Sequence, residues 1–176
     1  MTTSAGTVVA QLPTRSVLLA LQEIAEDIGT NGTDSTPMDP DEAEALLSAL
    51  AHAAGERPPA RLSEQSDAQV LASGRLLLVY IAEDPDTAEQ AEAVLSDPPS
   101  DEQMSVESAA AAVVVLGGLI AWLQTKVDIK IKRTGGKTDF DFRLTKSAAS
   151  PGVLRDVVAI ITRLFGGGGP TEPPQG

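Results

Sequence analysis

The sequence predicts an α+β fold: an acidic helical N-terminal part, a long apolar helix, a two-stranded antiparallel hairpin and a C-terminal amphipathic helix. Three observations lead there. Apolar residues make up 42% of the 176-residue chain but aromatic ones only 3%, a supply of Ala, Leu and Val that suits packed helices. Before Glu107, apolar positions recur at three- and four-residue spacing, the period of helices with one buried face. Near the C-terminus, two stretches instead alternate residue by residue around Gly135-Gly136, the period of strands joined by a tight turn.

Charge divides the chain. Up to Glu107 there are 4 basic and 20 acidic residues, a net of −16; from Ser108 onward there are 9 basic and 5 acidic, a net of +4. The change of sign falls at an uncharged run, Ser108 to Thr125, which separates an acidic helical segment, 14–107, from a compact unit, 108–165. Residues 1–13 are expected to be a flexible N-terminus. Residues 166–176, rich in Gly and Pro, are expected to be a disordered tail. The net charge of −12 repels phosphate backbones and anionic membrane surfaces, which argues against nucleic acid as a partner. The first residues carry no charged n-region of a signal peptide, so the expected location is cytoplasmic.

In chain order, Thr14 to Ile28 is a helix by the spacing of Val17, Leu18, Leu21, Ile24 and Ile28, with Gly29 as its stop. Asp39 is an N-cap. Pro40 occupies the first helical position, where its missing N–H costs nothing, and Asp41 and Glu42 suit the positive end of the helix. That helix continues through Leu46, Leu47 and Leu50 to a break at Gly55, Pro58 and Pro59. Asp67 to Glu83 contains the run Leu76 to Ala82, which suits a buried strand as well as a helix; Val70 and Leu71 extend it at helical spacing and favour the helix. A short helix is expected over Asp86 to Leu95, begun by Pro85.

Ser108 to Thr125 is eighteen residues without charge, at the lower edge of the roughly 20 that a membrane span needs. Its alanines and the pair Gly117-Gly118 weaken its hydrophobicity. A helix apolar all round and buried in protein is therefore preferred to a transmembrane one. Beyond it, Val127 to Arg133 and Thr138 to Leu144 alternate. With Gly135-Gly136 as a two-residue type I′ turn, Lys132 faces Asp139, Ile131 faces Phe140, Lys130 faces Asp141 and Ile129 faces Phe142. Ser150-Pro151 then opens a helix with Leu154, Val157, Val158, Ile161, Leu164 and Phe165 on one face, on which the apolar face of the hairpin is expected to pack.

The chemistry available is narrow. Without cysteine there is no disulfide, thiolate metal site or thiol nucleophile, and the single histidine, His52, cannot make a multi-histidine metal site. His52 lies on the helix that follows Asp39, where a lone histidine is more often solvated or capping than catalytic. The stretch from Asp34 fails as a calcium loop, because Thr36, Met38 and Ala45 occupy positions that an EF-hand reserves for oxygen ligands. Gly166 to Gly169 is followed by no Lys-Ser/Thr and is not a phosphate loop. Lys130, Lys132 and Arg133 form a small basic cluster; pairing across the hairpin with Asp139 and Asp141 accounts for the lysines. No catalytic, cofactor-binding or metal-binding residues are assigned.

The run Leu119 to Phe165 resembles the C-terminal part of the effector-associated constant component proteins, a small actinobacterial family. The shared features are an apolar helix ending in Ala121-Trp122-Leu123, the basic alternating strand Val127 to Arg133, a Gly turn, a second strand and a final amphipathic helix. The resemblance covers about a third of the chain. It implies a non-enzymatic accessory part of a bacterial conflict or defence system. The expected function is accordingly a non-enzymatic adaptor or interaction component with a protein partner and no cofactor. Its apolar helix and hairpin are expected to be buried against its own chain or that partner, with Leu116, Leu119, Trp122, Ile129, Ile131, Phe140 and Phe142 as the candidate interaction surface. The alternatives are a membrane-associated protein anchored by 108–125 and a hydrolase with an unrecognised site.

Overall fold

The computed structural model describes residues 4–29, 39–61, 64–100, 108–144 and 151–165. Among them are helices α1 (Ala5–Gln11), α2 (Thr14–Ile28), α3 (Pro40–Ala53), α4 (Asp67–Glu83), α5 (Ala88–Ser96), α6 (Ser108–Lys126) and α7 (Pro151–Phe165). Strands β1 (Val127–Thr134) and β2 (Lys137–Leu144) form the antiparallel hairpin, and the fold is α+β as predicted. Residues 34–38, the start of the stretch rejected as a calcium loop, and the tail 166–176 lie outside the described residues.

Local chemistry sets the helix boundaries. Asp39 Oδ1 accepts from Glu42 N at 2.8 Å, with Pro40 next in the chain, so α3 begins as its sequence requires. The segment that suited either strand or helix is α4. Ser66 and Gln69 close a reciprocal capping box at its start, which fixes the helical choice locally. Helix α5 begins at Ala88 rather than Asp86, because Asp84, Pro85 and Asp86 turn the chain first.

The N-terminus departs from expectation. Residues 5–11 are helical where a flexible segment was predicted, and Val9 and Leu12 are buried. A seven-residue helix is marginal alone. The Arg75 guanidinium of α4 donates to Val9 O at 2.6 Å, which also accepts from Leu12 N, and to Leu12 O at 2.8 Å, so it fastens the C-terminal end of α1 to α4.

Helix α6 packs against α2 and α4, and more lightly against α3. Leu21 of α2 sits between two glycines. A methyl at Gly74 of α4 would come within 3.4 Å of Leu21 Cδ1, and one at Gly118 of α6 within 3.5 Å of its Cδ2. The tighter of the two is Gly74, whose Cβ would also lie 3.1 Å from Val115 Cγ2, and its bare Cα lets α4 close on α2 and α6. One contiguous core results, with Leu21, Ile24, Leu46, Leu50, Leu77, Leu78, Ile81, Leu119 and Leu123 among its fully buried side chains. The prediction that α6 is buried all round is corrected, because Val113 and Gly117 are exposed. Among the described residues no helix is long and apolar enough to cross a membrane.

Strand β1 follows α6 without a loop, and the hairpin register is the predicted one at every pair from Val127↔Leu144 to Thr134↔Lys137. Gly135 and Gly136 have φ of 59° and 78°, the left-handed pair a type I′ turn demands. Two details differ. Lys130 faces Asp141 and Lys132 faces Asp139, but among the described residues neither pair closes into an ion pair; Arg133 instead reaches α3 and holds Glu42 with two bonds of 2.8 Å. The hairpin packs chiefly on α6 and α3 rather than on α7, while α7 rests on α4. Ser73 Oγ of α4 donates to Leu164 O, and Val157, Val158, Ile161 and Leu164 are buried as expected. The side chains of Leu154 and Phe165 lie outside the described set.

Candidate functional site

The proposed interaction surface is mostly core. Leu116, Leu119, Trp122, Ile129 and Ile131 are buried within the chain itself. Only Phe140 and Phe142 are half-buried, with rings stacked at 6.4 Å. The reason is the packing of the whole chain: α6 is covered mainly by α2 and α4, and β1, which follows it directly, joins the same core.

The open part of α6 is elsewhere. Val113, Gly117, Ala121 and Gln124 lie three or four residues apart and form one row along the helix; Val113, 51% exposed, and Gly117 are open, Gln124 is half-buried and Ala121 is buried. Facing them are Gln22, Ala25, Glu26 and Gly29 of α2 and its C-terminal boundary, again one helical row, and Asp39, Pro40 and Ala43 at the start of α3. Together they wall a trough of about 550 Å³, open on one side. Its floor is apolar, and a side chain at Gly117 would meet nothing within 4 Å. Glu26 and Asp39 bring carboxylates to the lining, and among the described residues no lysine or arginine lines it. Sequence reasoning missed this face because every residue of α6 before Gln124 is uncharged. Gln124 was the available signal: stepping back from it by helical spacing leads through Ala121 and Gly117 to Val113.

A polar node lies at the other end of α6. Asp84 accepts from Trp122 Nε1 at 2.8 Å, from Lys126 Nζ at 2.7 Å and from Asp86 N at 3.0 Å; Lys126 also reaches Asp86 Oδ2 at 2.7 Å. Burial alone would lower the Lys126 pKa, but its bonds to Asp84 and Asp86 outweigh that and raise it above 10.5. The node ties the end of α6 to the turn before α5.

A second cavity, about 620 Å³, lies between α3 and Pro58 to Arg61 and is lined by Asp41, Glu44, Ser48 and His52. The His52 Nδ1–H donates to Ser48 O at 2.8 Å, a bond to its own helix, and the ring is exposed. Among the described residues no group of three or more His, Asp or Glu side chains is placed to hold a metal ion. Of the two cavities, the α2–α3–α6 trough combines an exposed apolar floor with charge of one sign, and it is the candidate site. Comparison with protein-family models, curated proteins and solved structures finds no match to this chain.

Proposed function

We propose that the chain is a non-enzymatic interaction component, an adaptor that engages a protein partner through the α2–α3–α6 trough. The observation that carries the reading is the exposed row of α6: Val113 and Gly117 are left open beside a helix whose neighbouring faces are packed. Exposed apolar surface gathered in a concave face is the usual mark of an interaction site. The accessory role implied by the resemblance of Leu119 to Phe165 fits the same reading, with the hairpin and α7 as scaffold.

A photo-reactive residue introduced at Gly117 of the full chain, in its native host, tests the proposal. Irradiation is expected to give one discrete protein adduct from this position and none from Ala72, an exposed residue of α4. Equal adduct patterns from both positions, or none from position 117, would refute it.

A further inference from the structure

The charge around the trough runs against the helix that carries it. The C-terminal end of α2 holds a fixed partial negative charge of roughly half an electron, where basic side chains are favoured and acidic ones disfavoured. Helix α2 does the opposite: Glu26 and Asp27 stand in its last turn, Glu23 stands just before, and the turn has no basic residue. Among the described residues no cation pairs with any of the three. Across the trough, Asp39 adds a further carboxylate. Of the three acids of α2, Glu26 lines the trough; an acid at that helix end, unfavourable to the chain alone, becomes favourable once a cation is laid over it.

The shape narrows the guest. The row Val113 to Gln124 extends about 16 Å along α6, or three helical turns. The walls are helices, so no open strand edge is offered for main-chain pairing inside the trough. The bare Cα of Gly117 lets a guest backbone approach closely. These are the requirements of helix-in-groove recognition, with anchors at helical spacing. Resting on the interaction reading above, we propose that the trough receives an amphipathic helix of a protein partner, its apolar face on Val113, Gly117 and Ala121 and its Lys- or Arg-bearing flank over Glu26 and the end of α2.

The test uses the full chain and three labelled synthetic peptides of one length. One is an amphipathic helix with Leu at helical spacing and Lys flanks, the second has Glu flanks, and the third is a scramble of the first. Fluorescence anisotropy is expected to show the Lys-flanked helix binding at least tenfold more tightly than the others. Gly117→Trp, which fills the trough, should abolish that binding. The paired change Glu26→Lys with Asp27→Lys should weaken it at least tenfold, transfer the preference to the Glu-flanked peptide and raise the melting temperature of the protein alone. A merely structural role for these carboxylates would not transfer the preference. Binding lost in Gly117→Trp but indifferent to the charge reversal overturns this inference while leaving the interaction reading standing. Binding no tighter than the scramble, or unaffected by Gly117→Trp, overturns it outright. A fall in melting temperature on Gly117→Trp without any peptide binding would mean that position 117 serves the chain's own packing, and would overturn it as well.

Discussion

Replacing Asp84 is the sharpest test of how the end of α6 is held. The carboxylate side chain is 8% exposed and takes three donors: the Trp122 indole, the Lys126 ammonium and the Asp86 amide. Asp84→Ala removes all three acceptor contacts. Hydrogen bonds to a charged group contribute about 1.5–3 kcal/mol each, and a buried donor left without a partner costs about 1–3 kcal/mol. Trp122 is 3% exposed, so its N–H gains little water in compensation. Lys126 keeps Asp86 and is 18% exposed, which softens its loss. The expected net destabilisation is about 3 kcal/mol, or roughly 6–12 °C in melting temperature for a domain of this size. Asp84→Asn keeps an acceptor for the indole but loses the charge, and should cost about half as much. Urea unfolding followed by Trp122 fluorescence reads this directly, because Trp122 is the chain's single tryptophan and lies at the node itself. A shift in midpoint at constant m-value is the signature of a change in stability. If Asp84→Ala costs less than about 0.5 kcal/mol, the scale of a surface substitution away from any packed feature, the node does not fasten α6 and the reasoning fails.

Three further outcomes are expected. Gly117→Ala should stabilise the protein by about 1 kcal/mol, because its Cβ meets nothing within 4 Å and alanine is the better helix former; Gly74→Ala should destabilise it, because its Cβ would lie 3.1 Å from Val115 Cγ2, and thermal melts of the pair decide whether α6 has the two faces described. Lys126 has a folded-state pKa raised above the unfolded value of 10.5, so its contribution is full below about 10.5 and is lost as pH rises through the folded value. The stability difference between wild type and Lys126→Met should therefore shrink under alkaline titration, and a constant difference would contradict the assignment. A double-mutant cycle on Arg133 and Glu42 should give a coupling of about 0.5–1 kcal/mol, and one on Lys130 and Asp141 a smaller one, since only the first pair closes into an ion pair; the reverse ranking would mean that the hairpin is held by its own cross-strand charges.

What the sequence discloses here is what neighbouring residues decide among themselves. The hairpin register was legible because a one-residue slip sets lysine against phenylalanine, and Gly135-Gly136 leave one turn geometry. The start of α3 was legible because Asp39 and Pro40 act within one turn. What escaped prediction depends on partners distant in the chain. Helix α1 is fastened by Arg75, more than sixty positions away, and Arg133 turns to Glu42, ninety-one positions away. The hairpin left α7 for α6 and α3 because continuity with α6 supplied a nearer apolar cover than a helix that begins beyond residue 150.

Helix α6 shows why the candidate site was the hardest feature to read. Periodicity locates a buried face only when polar residues mark the opposite one, and from Ser108 to Leu123 the only polar residue is the first. Length and Ala/Gly content argue for a protein environment over a membrane, but they do not tell the chain's own interior from an interface. The adjacent glycines separate these cases. Successive residues on a helix point about 100° apart. A Cβ on Gly118 would touch Leu21 and Leu77, whereas one on Gly117 would touch nothing. Gly118 therefore lies on the packed side of the helix, at ordinary contact distance from its neighbours, and Gly117 on the open side. Valine at position 113 continues the same row and is 51% exposed, where a helix facing only water is free to carry Lys or Glu. Val113 and Gly117 are thus the part of α6 that the described packing leaves uncovered, and it is this part that the proposed guest would cover.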